Sequence, residues 1–391
     1  MKKKVITVLL AFSMVVSHAA YADVYAESTA GKTDAVIEKL AAVTPEGSST
    51  VTPEGPSVVT PEGPSVVTPE DPPAVTPEKP DIEPPVITVH PAGTELIAGT
   101  DKYKVTAEST ETTYTGTTAA GVITIPDTVT IDGITYRVTS IADGAFKDRT
   151  DITSVTIGQN VTAIGTSAFS GCSKLESVSM SMNTASIGTE AFYNCTSLTG
   201  ITIPGAVTAI RDRTFMGCTA LQTVTLNEGL LTIDKGAFRN CSALTAVEFP
   251  KTVTDLKANA FNGCTKLKEV ELKAGLTAIG KMAFANCTAL KEITIPKGVT
   301  TIKTDAFRGD TKLAVVTIGK GLKSIKKRAF YGCKKLSVIT IKSTALTTVK
   351  SNAFYGIKSY AVIRVKPSKY TSYTRLLNGK GQSSKAAVVK I

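Results

Sequence analysis

Residues 191–204 read Ala191-Phe192-Tyr193-Asn194-Cys195-Thr196-Ser197-Leu198-Thr199-Gly200-Ile201-Thr202-Ile203-Pro204. Phe192 belongs to an evenly spaced series, Phe146, Phe169, Phe192, Phe215, Phe238, Phe261, Phe284, Phe307 and Phe330, with Phe354 following after one insertion. The shared pattern is A-F-x-[GN]-C-x-x-L-x-x-[VI]-x-[IL]-x-x-x-[VL]-x-x-[IL], with Cys present in seven of the ten units, and Ala precedes Phe in every unit except at Thr214. A fixed period of this length marks a stacked architecture, because a single unit cannot cover its own apolar face.

The alternation in Ser154-Val155-Thr156-Ile157 and Ala314-Val315-Val316-Thr317-Ile318 places apolar side chains inward and polar ones outward, as in a short strand. A second apolar pair, such as Val161 and Ile164 or Val299 and Ile302, leads into a turn that delivers Ala-Phe. At roughly 4.8 Å per stacked strand, ten units make a column about 50 Å long. The expected fold class is therefore an α/β-type, strand-rich solenoid of about ten 23-residue units. Open ends of such a stack need covering. The expected caps are residues 86–140 and 359–391, the latter holding a strand at Ala361 to Val365, a short helix around Tyr370 to Leu377 and a final strand.

Ahead of the repeats, residues 1–22 read as an export signal: Lys2, Lys3 and Lys4, an apolar run from Val5 to Val16, and a cleavage point after Ala22. About a dozen apolar residues fall short of the roughly 20 needed to span a bilayer, so no transmembrane segment is expected after cleavage. Residues 23–42 form a short leader, and residues 43–85 repeat an octad, VTPEGSST, VTPEGPSV, VTPEGPSV, VTPEDPPA, VTPEKPDI. Proline and glutamate at that density point to an extended spacer rather than a core. Residues 141–358 are the expected repeat body.

The net charge of +11 is unevenly distributed. Residues 23–85 carry 3 Lys against 12 acidic side chains, whereas residues 297–391 carry 21 basic against 2 acidic ones. A cationic block of that density favours a polyanion partner. Its candidate contacts are Lys303, Lys323, Lys326, Lys327, Arg328, Lys334, Lys335 and Lys350, of which Lys303, Lys326 and Lys350 hold corresponding positions in successive units. The second candidate surface is the outward strand face, with Thr202, Thr225, Glu248, Glu269, Glu271, Glu292, Thr294 and Thr317; its four glutamates are expected to form an acidic patch.

All seven cysteines lie three residues after a repeat Phe and form one column. Stacked neighbours could come within bridging range, but the number is odd and the Cβ vectors run parallel, which favours free buried thiols. Arg149, expected to be exposed at a cap, and Asp310 stand in the same column; a buried carboxylate there marks a weak point. Asn194, Asn240 and Asn286 each begin an Asn-Cys-[Ser/Thr] triplet inside the consensus and read as packing geometry rather than glycan acceptors. His90 is the one histidine after the signal, so the usual base for a Cys or Ser nucleophile is missing from the repeats. No enzyme, metal or cofactor is expected.

The motif running from Ala191 to Pro204 resembles the BspA-type leucine-rich repeats of bacterial surface and secreted proteins. The resemblance covers residues 134–358, and Val365-Lys366-Pro367-Ser368-Lys369-Tyr370 to Gly379-Lys380-Gly381-Gln382 looks like the tail that follows such repeats. It implies a leucine-rich repeat stack and adhesion to host or bacterial surface proteins or glycans. No wall-anchoring module is recognisable, so a secreted or non-covalently surface-associated protein is expected. The leading expectation is an exported binding module whose cationic end engages a polyanion, with nucleic acid excluded as the intended partner by export. The alternative is a structural envelope protein held on cell-wall polymer by its basic end.

Overall fold

The computed structural model describes residues 89–106 and 110–391; the export signal, the leader and the octad spacer lie outside the described residues. Six strands come first: β1 (Glu95–Ala98), β2 (Asp101–Val105), β3 (Glu111–Thr117), β4 (Gly121–Ile125), β5 (Thr128–Ile131) and β6 (Ile134–Ile141). Each repeat then supplies one longer strand and one of two residues. The longer ones are β7 (Ile152–Ile157), β9 (Ser177–Ser179), β11 (Gly200–Ile203), β13 (Thr223–Leu226), β15 (Ala246–Glu248), β17 (Glu269–Glu271), β19 (Glu292–Ile295), β21 (Val315–Ile318) and β23 (Val338–Ile341). The short ones are β8 (Ala163–Ile164), β10 (Ser186–Ile187), β12 (Ala209–Ile210), β14 (Thr232–Ile233), β16 (Asp255–Leu256), β18 (Ala278–Ile279), β20 (Thr301–Ile302), β22 (Ser324–Ile325) and β24 (Thr348–Val349). After β25 (Val362–Val365) come a 3₁₀ turn at Pro367–Lys369, helix α1 (Tyr370–Leu377) and β26 (Ala387–Lys390). The molecule is thus the strand-rich solenoid that the repeat spacing implies, and the helix falls where the sequence places it.

Stacking is parallel and in register, as in Thr202↔Thr225, Thr294↔Thr317↔Thr340 and Ile302↔Ile325↔Val349. The third side of the coil is a ladder of turns: Phe169 N–H donates to Ala191 O at 2.7 Å, Phe238 N–H to Ala260 O at 2.8 Å and Phe330 N–H to Ala353 O at 2.8 Å. Inside it the ten phenylalanine rings stack face to face, with neighbouring centroids 4.8 to 5.7 Å apart. Tyr114 extends the stack at 5.5 Å, and Tyr103 closes it edge-on to Tyr114 at 87°. Offset aromatic stacking has an optimum close to the rise between parallel strands, so rings and sheets share one spacing. Thr214 takes the place of Ala because its hydroxyl donates to Arg211 O at 2.9 Å while the residue stays buried.

The turns also explain the alternation of Gly and Asn before each Cys. Residues at this position adopt left-handed φ values, such as 79° at Gly171, 57° at Asn194, 81° at Gly217 and 62° at Asn240, a region that Gly and Asn tolerate best. A Cβ at Gly217 would collide with Asn194 Oδ1, and one at Gly263 with Asn240 Oδ1. Asn in one turn therefore requires Gly in the next. The hydroxyls of the Asn-Cys-[Ser/Thr] triplets bond along the axis, Thr196 to Ser173 O at 3.1 Å and Thr288 to Thr265 O at 3.2 Å.

The seven cysteines are free and buried. Each donates its S–H to the Phe carbonyl of the preceding unit, at 3.0 Å for Cys172 to Phe146 O and 3.1 Å for Cys333 to Phe307 O. Burial pushes the Cys172 and Cys218 thiols up to about 12. Arg149 is not released to solvent as expected. It closes the column by donating to Thr117 O and Ala119 O, both at 2.5 Å, and by a 2.8 Å pair with Asp151.

Asp310 is fully buried, with Oδ1 accepting Cys287 N–H at 2.8 Å and Oδ2 unpartnered. Burial pushes its carboxyl well above the ordinary 3.8. The folded state therefore keeps a proton that the unfolded chain loses as pH rises past that value, so the residue lowers stability progressively from about pH 4 upward. Asp310→Cys is expected to raise stability at pH 7.5 by about 1–3 kcal/mol, with the advantage shrinking toward pH 4. Thermal unfolding of both proteins across that range checks it, and a pH-independent difference contradicts it.

Candidate binding surface

The long strands turn alternate residues outward, and the in-register pairing lines them up in axial columns. Thr202, Thr225, Glu248, Glu271 and Thr294 are exposed, and Thr317 is half-buried. Glu248 and Glu271 are register partners between β15 and β17, and Glu269 and Glu292 begin β17 and β19 two residues earlier in the repeat. The four line one open hollow of about 840 Å³, together with Lys268, Lys291 and Thr294.

The hollow is less acidic than a count of its glutamates suggests. Lys273, from the end of β17, places Nζ 2.8 Å from Glu248 Oε1 and also bonds Glu271; these two hydrogen bonds, Glu248 first, hold the ammonium above its ordinary range. Among the described residues Glu269 and Glu292 have no such pair, so the exposed negative charge concentrates on them. The adjacent strands β9, β11 and β13 carry a neutral groove lined by Val178, Met180, Met182, Gly200, Thr202 and Thr225.

The eight cationic candidates do not form one cluster. Lys303, Lys326 and Lys350 do stand together: each follows a short strand, and their N–H groups donate to Ile279 O, Ile302 O and Ile325 O at 3.0, 2.9 and 2.9 Å. Lys323 and Lys327 flank that column on either side of β22 and are exposed. Lys334 and Lys335 are also exposed but follow the Phe330 turn and lead into β23, on the other side of the coil. Arg328 has a structural partner, with Nη2 2.8 Å from Oδ2 of the buried Asp305.

That last contact belongs to a pattern. Glu190 and Arg213 pair at 2.8 Å, Asp234 and Lys257 at 2.6 Å, and Asp305 and Arg328 at 2.8 Å, the partners standing one repeat apart in every case. Opposite charges thus sit above one another along the axis. Lys303, Lys326 and Lys350 occupy the same repeat position as Asp234 and Lys257, yet stack cation on cation. Like charges directly opposite on stacked strands are destabilising, and none of the three has an acidic partner among the described residues. On the turn side, Tyr331 and Tyr355 stack at 5.1 Å, and Arg308 lies 5.6 Å from the Tyr331 ring centre. This outer ladder was not singled out from sequence, although all three residues directly follow a repeat Phe.

Parallel strand stacking with a repeated interior unit and variable outward columns defines a strand-rich repeat solenoid. The chain belongs to the family described as BspA type leucine rich repeat region, whose model matches residues 139–268 and 232–361. Among solved structures it is similar to a leucine-rich repeat protein from Bacteroides ovatus, with 22% identity over 76% of this chain and 99% of that one and a TM-score of 0.43. A leucine rich cell surface protein from Faecalibacterium prausnitzii is 24% identical over 63% of this chain and 94% of that one, at a TM-score of 0.32. The pneumococcal vaccine antigen PcpA is 19% identical over 77% of this chain and its whole (100%) length, at 0.40. No curated protein matches the chain. Among the described residues no helix is long and apolar enough to cross a membrane.

The division of the cationic set is testable. Arg328→Gln leaves the Asp305 carboxylate buried without its partner and is expected to cost about 2–3 kcal/mol, below the roughly 3–5 kcal/mol of a fully buried pair because the guanidinium is partly in solvent. Lys327→Gln should change stability by less than about 0.5 kcal/mol. Equal effects in urea unfolding contradict the assignment.

Proposed function

We propose that this protein is an exported, non-catalytic binding module that holds a linear polyanion along the Lys303–Lys326–Lys350 column. Repeat solenoids of its family are binding modules rather than catalysts as a rule, and a phosphate- or sulfate-bearing polymer, either cell-wall polymer or surface glycan, is the ligand class that the column fits. The observation that carries this reading is the in-register stacking of three lysines without an acid between them, in a molecule that pairs three other sets of axial charges. A polymer lying along the axis would meet one ammonium about every 5 Å and relieve their mutual repulsion. Lys323 and Lys327 widen the cationic track, and Lys334 and Lys335, on the other side of the coil, stand apart from it.

The outward strand face is proposed as a second, protein- or glycan-binding surface, with Glu269 and Glu292 as its free charges and Thr202, Thr225, Thr294 and Thr317 as its hydroxyl columns. Export rests on the reading of residues 1–22, and reach from the point of attachment on the octad spacer.

Polyanion binding through discrete charges falls linearly in log affinity with log salt. Heparin and purified wall teichoic acid are expected to bind the full chain at 50 mM salt and to release it by 0.5 M. The combined Lys303→Gln, Lys326→Gln, Lys350→Gln variant should lose at least ~10-fold in affinity and flatten the salt slope by about two to three. An unchanged slope in a folded variant contradicts the column as the site.

A further inference from the structure

We propose that the groove between α1 and the outer edge of β26 binds an extended acidic peptide, which joins the long-strand sheet as an additional strand. β26 pairs with β25, and with no other strand among the described residues. Ala387 N–H donates to Ala361 O at 2.9 Å and Ile391 N–H to Val365 O at 3.0 Å. Because strand residues alternate in direction, the N–H and C=O groups of Val388 and Lys390 point to the opposite edge. An unpaired row of this kind is a template for another strand, and natural edges are usually blunted by proline, a bulge, a covering segment or a lysine charge; the one charge on β26, at Lys390, opposes a basic strand and not an acidic one. The sequence Ala387-Val388-Val389-Lys390 contains no proline, and its register with β25 is regular.

The start of this strand, with Ala386, Ala387 and Val388, is also one wall of a groove of about 600 Å³. The other wall is the face of α1 that carries Tyr370, Thr371, Thr374, Arg375 and Asn378, residues one helical turn apart. The opposite face is fixed: Tyr373 and Leu377 are buried, and the Tyr373 hydroxyl donates to Ser343 O at 3.2 Å and accepts Leu346 N–H at 2.9 Å. A strand edge beside a rigid helix is the geometry of strand addition, in which backbone bonds give affinity and the flanking wall reads side chains. Eight helical residues span about 12 Å, enough to flank about four extended residues.

Charge selects the peptide. Residues 359–391 hold seven Lys and Arg and no Asp or Glu. Arg375 opens into the groove, and Lys390 holds its ammonium 5.3 Å from the Tyr370 ring centre, across the gap between strand and helix. The Thr371 hydroxyl and the Asn378 amide complete a wall that suits carboxylate side chains, while the Thr374 hydroxyl donates to Tyr370 O at 2.8 Å within the helix. This site is separate from the lysine column and does not depend on it.

The test uses the full chain and a fluorescent, end-blocked peptide, Glu-Val-Thr-Val-Glu-Val. Binding is compared with that of the same peptide N-methylated at alternate residues, which keeps the charge and removes the strand-edge donors. The parent peptide is expected to bind, and the N-methylated one at least ~10-fold more weakly. Val388→Pro removes a donor that points away from β25 and should weaken the parent peptide comparably at unchanged melting temperature; Arg375→Glu should also weaken it. The Lys303, Lys326 and Lys350 substitutions should leave it unaltered. Equal binding of the two peptides overturns the proposal, as does failure of the parent to bind at 1 mM; if Val388→Pro does not fold, the peptide pair decides.

Discussion

The aromatic stack and the turn ladder that carries it fix one repeat distance for the whole molecule. Ring centroids 4.8 to 5.7 Å apart must match the spacing of two strand layers on the other sides of the coil, and every unit must return its Phe to the same azimuth. The one insertion shows how tightly this holds. Val315 pairs with Val338, one regular period on, while Ser324 pairs with Thr348, a single residue beyond the regular period. The extra residue therefore lies in the corner between β23 and β24, where Ser343 is buried and donates its hydroxyl to Leu322 O at 2.6 Å. This one insertion is absorbed at a corner and leaves the Phe turn unchanged.

Much of this was legible in the sequence because a stack turns period into proximity. The Phe, Cys, Leu and Ile columns and the free thiols follow from spacing and burial, and the C-terminal helix from the local sequence after Pro367. The left-handed turn positions were visible only as a Gly and Asn alternation, because backbone dihedrals leave no direct trace beyond the residues that tolerate them. Arg149 was misjudged because its value lies in two cap carbonyls, at Thr117 and Ala119, whose position depends on a nonperiodic segment. Surface charge was the hardest to read. The partners of Arg213, Lys257 and Arg328 lie one repeat upstream, and so were in principle recoverable. The double engagement of Lys273 by Glu248 and Glu271 spans different offsets and depends on side-chain reach.

On the proposed reading, function is carried by the columns the stack does not need. The interior has little freedom to vary, since each side chain packs on its own counterpart above and below. Outward columns are constrained only by axial neighbours, and there the molecule changes character along its length: hydroxyls first, glutamates in the middle, lysines toward the end. Several of its charges are balanced one turn away. Lys303, Lys326 and Lys350 are not, and there an external anion has most to contribute.

If the Phe turn is the element on which the rest depends, its amides should be the slowest to exchange with solvent. Native-state hydrogen exchange resolved by residue is the most direct measurement. The account predicts the strongest protection at the Phe N–H groups from Phe169 to Phe284, with a local minimum at the turns around Asp310, where a carboxyl with one unpartnered oxygen interrupts the thiol column. Stronger protection in the two-residue strands, or protection running evenly through residue 310, would contradict it.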